Sequence, residues 1–320
     1  MIRRGVAIVV LVVACWGAAG VAQELTLARR LPAGRYVLTA DTARYQVLTV
    51  NNVPKPPLGT KTKLTLAMHV HAAGPQDNAL LELSFRTIAH SIRTRNKKVS
   101  YDSTAGGSPA SRLGELLGPL LKAKVRLLLT PAGRVAAIKG LDAVWDARAL
   151  KDPDLAKWVN QLKAEMGNEM VGDLVDQIGR VLPGRPVQVG GSWDGELRFR
   201  LPYVGERKQT QKVVLKTTAK QGQKLFAILD LRQTSNEPTA SVVQVEPMPL
   251  TVRRVQMTQT GALHAALTTV WPVYLKLKRD SILTMSGNHP TQGRVAVQLK
   301  HALTMTLTIR PDTQAEPEAR

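Results

Sequence analysis

Leu182-Pro183-Gly184-Arg185-Pro186-Val187-Gln188-Val189-Gly190-Gly191-Ser192-Trp193 marks the point where helical periodicity stops and two-residue alternation begins. Proline has no backbone N–H and its ring collides with the preceding turn, so Pro183 ends a helix. The glycines and Pro186 then supply a turn that feeds a strand. Upstream, Met170, Val171, Leu174, Ile178, Val181 and Leu182 recur every three or four residues and share one helical face. Before them, Asp152 caps and Pro153 begins a helix carrying Leu155, Trp158, Val159, Leu162 and Met166 up to Gly167. The first helix has Ser108 as its cap, Pro109 at its first position and a stripe of Leu113, Leu116, Leu117, Leu120 and Leu121, shortened by Gly118-Pro119. A hairpin from Val125 to Ile138, turning at Pro131-Ala132-Gly133, separates that helix from the other two. Residues 108–182 thus read as a three-helix insert.

On both sides of the insert the period is two. Leu64, Leu66, Met68 and Val70 alternate with polar neighbours, and so do Val295, Val297, Leu299, Leu303, Met305, Leu307 and Ile309. Arg35–Thr39 and Tyr45–Val50 read as two short strands divided by Ala40-Asp41-Thr42-Ala43. The apolar parity of Leu81, Leu83 and Phe85 changes to that of Ile88 and Ile92, which predicts a β-bulge near Arg86-Thr87. A second parity change, from Leu250 and Val252 to Val255 and Met257, predicts another at Arg253-Arg254. A run of about fifteen residues spans roughly 50 Å at ~3.3 Å per residue, far beyond an average strand. Clean alternation means one wet and one buried face, the mark of antiparallel sheet. The fold class is α+β, mainly β: a large curved antiparallel sheet, half-barrel-like, with amphipathic helices covering its concave face.

Met1 to Gly5 is basic, Val6 to Trp16 apolar and Gly17 to Ala22 small, the anatomy of a secretory leader with cleavage after Ala22. The apolar run is too short for a membrane span. The single cysteine, Cys15, lies inside it, so cleavage leaves a mature chain without thiol chemistry. Val12-Val13-Ala14-Cys15 also resembles a lipobox, and the alternative is a lipoprotein anchored through Cys15. The organisation read is a 1–22 leader, one β-rich domain over 23–310 with the insert at 108–182, and a disordered polar tail over 311–320. The charge of +20 favours anionic partners such as lipid headgroups or acidic polysaccharide. Aromatics at 4% argue against stacking platforms for nucleic acid, and none is assigned as a partner.

No motif assembles a catalytic constellation. His69-Val70-His71 has the spacing that puts two imidazoles on one strand face, but both fall on the polar side and no third ligand is expected nearby, so no metal is assigned. His301 is unusual because it occupies an apolar-parity position between Leu299 and Leu303, where burial would govern its charge. Gly190-Gly191-Ser192-Trp193-Asp194 lacks nucleophile-elbow spacing and reads as a turn with Trp193 packed inward. Gly59-Thr60-Lys61-Thr62 precedes a strand and is no phosphate loop. Tyr101-Asp102-Ser103 reads as a strand end followed by an Asp-initiated turn.

The leader, Tyr101-Asp102-Ser103, the helical insert and Leu182–Trp193 together resemble an uncharacterised family of exported bacterial proteins of planctomycete type. Its architecture is similar to periplasmic lipoprotein carriers, half-open barrels that hold acyl chains beneath helical lids. What the residues and the resemblance lead us to expect is an exported envelope protein of the periplasm, without enzyme activity or cofactor. An apolar cavity between sheet and helices would hold a lipid or other amphiphile. Leu155, Trp158, Val159, Leu162 and His301 are its candidate lining. The alternative is a solid-cored envelope protein that docks through its basic surface.

Overall fold

The computed structural model describes residues 25–27, 32–74, 76–105, 111–151, 156–201, 204–221, 224–245, 248–267, 272–291 and 293–313. The leader with Cys15 and Ala22, the residues Ser108, Pro109, Asp152, Pro153 and Leu155, and the end of the tail lie outside them.

In chain order the first strands are β1 (Leu25–Thr26), β2 (Gly34–Val50), β3 (Val53–Pro54), β4 (Leu58–Val70), β5 (Ala79–Arg93) and β6 (Lys98–Asp102). The insert holds α1 (Arg112–Leu117), a 3-10 turn (Gly118–Lys122), β7 (Lys124–Leu129), β8 (Val135–Lys139), α2 (Asp142–Lys151), α3 (Ala156–Met166) and α4 (Asn168–Val181). Then come β9 (Pro186–Val187), β10 (Ser192–Leu201), β11 (Gly205–Gln221), β12 (Lys224–Pro238), β13 (Val242–Val245), β14 (Met248–Ala266), β15 (Pro272–His289) and β16 (Gly293–Pro311). Among the described residues a 14-stranded antiparallel sheet runs β10-β11-β12-β14-β15-β16-β2-β4-β5-β7-β8, with β13 on β14, β3 on β2 and β6 on β5. The first long strand pairs with the last, Leu38 opposite Ile309. β1 pairs with β9 in a separate ribbon.

Alternation dictates this sheet. The even rhythm of β16 buries Val295, Val297, Leu299, Met305, Leu307 and Ile309 while Arg294, Ala296, Lys300 and Thr304 face solvent. Both expected bulges are present: the β4–β5 register slips at Thr65/Leu66, leaving Arg86 unmatched, and the β14–β15 register slips across Arg253. The two short strands expected at 35–39 and 45–50 are one, because β2 runs unbroken through Asp41 and Thr42 against β4 and β16.

The insert differs in detail. Ser111, not Ser108, caps α1, its Oγ accepting from Gly114 N–H at 3.0 Å. Gly118-Pro119 ends α1 and turns the chain into the 3-10 segment. Among the described residues a fourth helix, α2, occupies a stretch that carries no apolar stripe. It buries Trp145 completely and packs on α3.

The sheet curls strongly. β10 lies four places from β15 in strand order, about 19 Å away in a flat sheet at ~4.8 Å per strand. Yet the Arg279 guanidinium of β15 sits 4.6 Å from the centroid of the Phe199 ring of β10. At the far side α4 contacts both end strands of the main order, β8 and β10. The curled sheet is therefore an incomplete barrel whose open seam is spanned by one helix.

That seam is held by polar contacts. The Asp176 carboxylate accepts from Val135 N–H of β8 at 3.1 Å. Arg180, one turn on, is buried and bridges the Asp176 and Glu196 carboxylates, and Glu196 belongs to β10. Gly179 lets α4 lie on the Gly133 carbonyl of the β7–β8 turn, where an added Cβ would clash. The Trp193 indole N–H donates to Val181 O at 2.8 Å, so Trp193 of the opening stretch fastens the end of α4 to β10.

Candidate ligand cavity

The inward face of the sheet has two apolar clusters. One contains Leu38, Leu64, Leu263, Leu277, Leu307 and residues of all four helices. The other contains Phe199, Val252, Leu283, Met285, Val297 and Leu299. Polar side chains lie between them at inward-facing positions. Register brings Arg279, Leu303, Arg44 and Thr60 side by side on β15, β16, β2 and β4, with Ser281, His301 and Gln46 on the next rung.

This belt is internally bonded. Arg279, 3% exposed, donates Nε–H and Nη2–H to Gln259 Oε1 at 2.9 and 2.7 Å. Gln259 donates in turn to Gln211 Oε1 at 3.1 Å. Ser281 Oγ donates to His301 O at 3.3 Å, and Thr62 Oγ1 lies 2.9 Å from His90 Nδ1. Among the described residues no carboxylate forms an ion pair with Arg279 or Arg44. A buried guanidinium without an ion-pair contact is costly, and although the Asp173 charge acts on it across the cavity, Arg279 is the belt's unusual group.

Above the belt is a cavity of about 640 Å³, floored by β2, β4, β15 and β16 and roofed by α4. The floor presents Arg44, Arg279 and His301; the roof presents Glu169, Asp173 and Gln177 beside Met170 and Leu174. Glu169 is partnered by Arg200 at 2.6 Å. The volume falls within the ~300–1,000 Å³ range of small-molecule sites. The lining is mixed rather than the apolar one expected, because β2 presents Thr42, Arg44 and Gln46 to it beside Ala40.

Burial sets the titration of this site. It drives His301 down to about 4, helped by the Arg44 and Arg279 charges. His90, behind the wall, is likewise driven down to about 4, by burial first and by Arg44 second. His301 Nδ1 and His90 Nε2 have no hydrogen-bond partner, so an imidazolium proton there would be unsatisfied. Asp173 moves the other way, up to about 6, because burial penalises its carboxylate more than Arg200 stabilises it. Burial also lowers Arg279, to about 10, which leaves it charged at neutral pH.

Of the candidate residues, His301 stands in the cavity wall. Val159 and Leu162 are fully buried in the first apolar cluster, inside the α2–α3–α4 packing, and are not part of the described cavity lining. Trp158 lies on α3, and its side chain is outside what the structure describes, as is Leu155 altogether. Arg44, Arg279 and Asp173 were missed. The available signal was a charged residue at an apolar-parity position, Arg279 between Leu277 and Leu283 in β15, of the same kind that singled out His301. Asp102 Oδ1 accepts from Thr104 N–H at 2.8 Å, so Tyr101-Asp102-Ser103 is the expected strand end and turn. One expectation is corrected: a third ligand does stand beside His69 and His71, because β5 places Glu82 opposite His69.

Among the described residues no helix is long and apolar enough to cross a membrane. A model described as "Family of unknown function (DUF6263)" matches residues 76–272. No curated protein matches the chain. Among solved structures, one of lipovitellin aligns with 91% of this chain at 12% identity and a TM-score of 0.41. This chain spans 27% of the lipovitellin chain's length. An outer membrane channel from Pseudomonas putida F1 aligns with 88% of this chain and 97% of its own at 7% identity and a TM-score of 0.19. The P. putida toluene transporter TodX aligns with 89% and 91% at 10% identity and a TM-score of 0.15. At these scores none of the three bears on ligand or location.

Proposed function

The chain belongs to DUF6263, a family of unknown function, and we propose that it is a non-catalytic binding protein whose cavity holds an anionic amphiphile. The buried Arg279 guanidinium facing that cavity carries the reading. An anionic headgroup would add a close counter-charge to the one Asp173 supplies from the roof, with Arg44 beside it, while Leu58, Leu303, Met305 and the Met170–Leu174 face of α4 take up apolar chain at roughly 25 cal/mol per Å² buried. His301, neutral at pH 7, serves as a hydrogen-bonding wall group. The basic residues act inside the cavity and not only at its rim. Residues 23–310 act as one domain, exported by the 1–22 leader with cleavage after Ala22, and the resemblance to exported proteins supports that location. The charge of +20 favours a second role, docking on anionic envelope surfaces.

The test uses mature protein starting at Gln23, native mass spectrometry of envelope-purified material, and titration with a fluorescent fatty acid. One acyl species per chain is expected. Arg279→Met is expected to weaken fatty-acid binding about tenfold or more, the scale of ~1.5–3 kcal/mol for a hydrogen bond to a charged group. Absence of uptake by the wild type, or equal uptake by Arg279→Met, refutes the reading. Salt-sensitive binding to anionic vesicles without internal ligand would support docking alone.

A further inference from the structure

The outer face of the same sheet carries a second cluster, unrelated to the cavity. The two-residue period of β4 puts His69 on the outward side, and His71, just past its end, follows the same parity. Their rings stand 4.2 Å apart, tilted by 38°. The antiparallel register sets Glu82 of β5 directly opposite His69, and His71 Nε2 lies 3.2 Å from Glu82 Oε2. One ligand atom from each of the three residues lies within 4.8 Å of the other two. All three are partly exposed, so an ion from solution reaches them without unfolding.

We propose that His69, His71 and Glu82 form a binding site for a divalent transition metal of the zinc class. Metal–ligand bonds of ~2.0–2.2 Å place tetrahedral donor atoms about 3.3 Å apart, so the cluster needs side-chain rotation of an ångström or so and no backbone shift. Two imidazoles and one carboxylate are the donor set of open zinc sites, in which a fourth position is left to water or another ligand. Arg126 Nε–H donates to Glu82 Oε1 at 2.9 Å, which orients the carboxylate and leaves Oε2 toward the histidines.

The neighbours narrow the metal. Arg35 lies opposite His69 on β2 and Arg126 opposite Glu82 on β7. Guanidinium groups on both sides repel any cation, so an ion here must be held by coordinate bonds and not by charge alone. Magnesium and calcium, which need several oxygen ligands, find one carboxylate here; zinc, nickel and copper gain from imidazole donors.

Tag-free mature protein, stripped with chelator, is titrated with Zn²⁺ by calorimetry and with Co²⁺ by visible absorption. One Zn²⁺ per chain is expected, with an intense four- or five-coordinate Co²⁺ band and no heat from Mg²⁺ or Ca²⁺. His69→Ala, His71→Ala and Glu82→Gln are each expected to weaken Zn²⁺ binding by about 10–100-fold, the range that supporting groups alone command. His264→Gln, elsewhere on the sheet, leaves it unchanged. Metal-free melting curves separate ligand loss from misfolding, and the wild-type cobalt spectrum decides independently of any variant. Absence of stoichiometric zinc binding in the wild type, or wild-type affinity in the three variants, overturns the proposal.

Discussion

Acidification from pH 7 to pH 5 tests the electrostatics of the cavity. His90 and His301 are depressed from the ordinary 6.5 to about 4. Their stabilising contribution is therefore complete above the unfolded-state value of ~6.5 and lost as pH falls through 4, because the unfolded chain takes up protons first. Asp173 is raised to about 6, so its contribution has the opposite sign: present below ~3.8 and lost as pH rises through 6. Between pH 7 and pH 5 each histidine costs about 2 kcal/mol, and Asp173 offsets a little over 1 kcal/mol, for a net loss of roughly 2–3 kcal/mol. That is a large share of the ~5–15 kcal/mol of a typical domain. Carboxylates held low by their partners, such as Glu82, Asp102 and Glu196, titrate below this window. Urea unfolding followed by tryptophan fluorescence measures the difference. The His90→Gln/His301→Gln double variant is expected to reverse the trend and be about 1 kcal/mol more stable at pH 5 than at pH 7, through Asp173 alone. If it loses stability at pH 5 as the wild type does, burial of the two imidazoles is not the cause of acid sensitivity.

The seam supplies two further expectations. Arg180→Ala leaves the buried Asp176 carboxylate unpaired and should cost about 3–5 kcal/mol in urea unfolding, with the denaturant slope unchanged. Gly179→Ala drives a methyl into the Gly133 carbonyl and should cost about 1–3 kcal/mol, whereas Gly172→Ala, whose added methyl meets only the end of Ile138, should be nearly neutral.

The sheet was legible because alternation is a direct imprint of one-sided burial, and both bulges were legible because an extra residue flips the parity of everything after it. From sequence β2 looks like two strands because Thr42 and Arg44 occupy positions where a core strand would place apolar residues. The same substitution of polar for apolar that hid the strand builds the cavity floor. α2 was missed because it is a short helix with a weak apolar face, stabilised by Trp145 and its packing on α3. Glu82 escaped notice for another reason: its nearness to His69 is a property of strand register, and register joins residues that no local spacing relates.

The pairing of β2 with β16 means that the middle of the sheet is the joint between the two ends of the polypeptide. A chain emerging in order can assemble β2, β4, β5, β7 and β8 early, but the other flank of β2 stays an open template until the last strand has been made. Contact order is correspondingly high, and closure is expected to be slow and to come late. Truncations near residue 300 would therefore not trim an edge. They would split the sheet at its centre and leave two long unpaired strands facing one another's absence, a form prone to pairing between molecules.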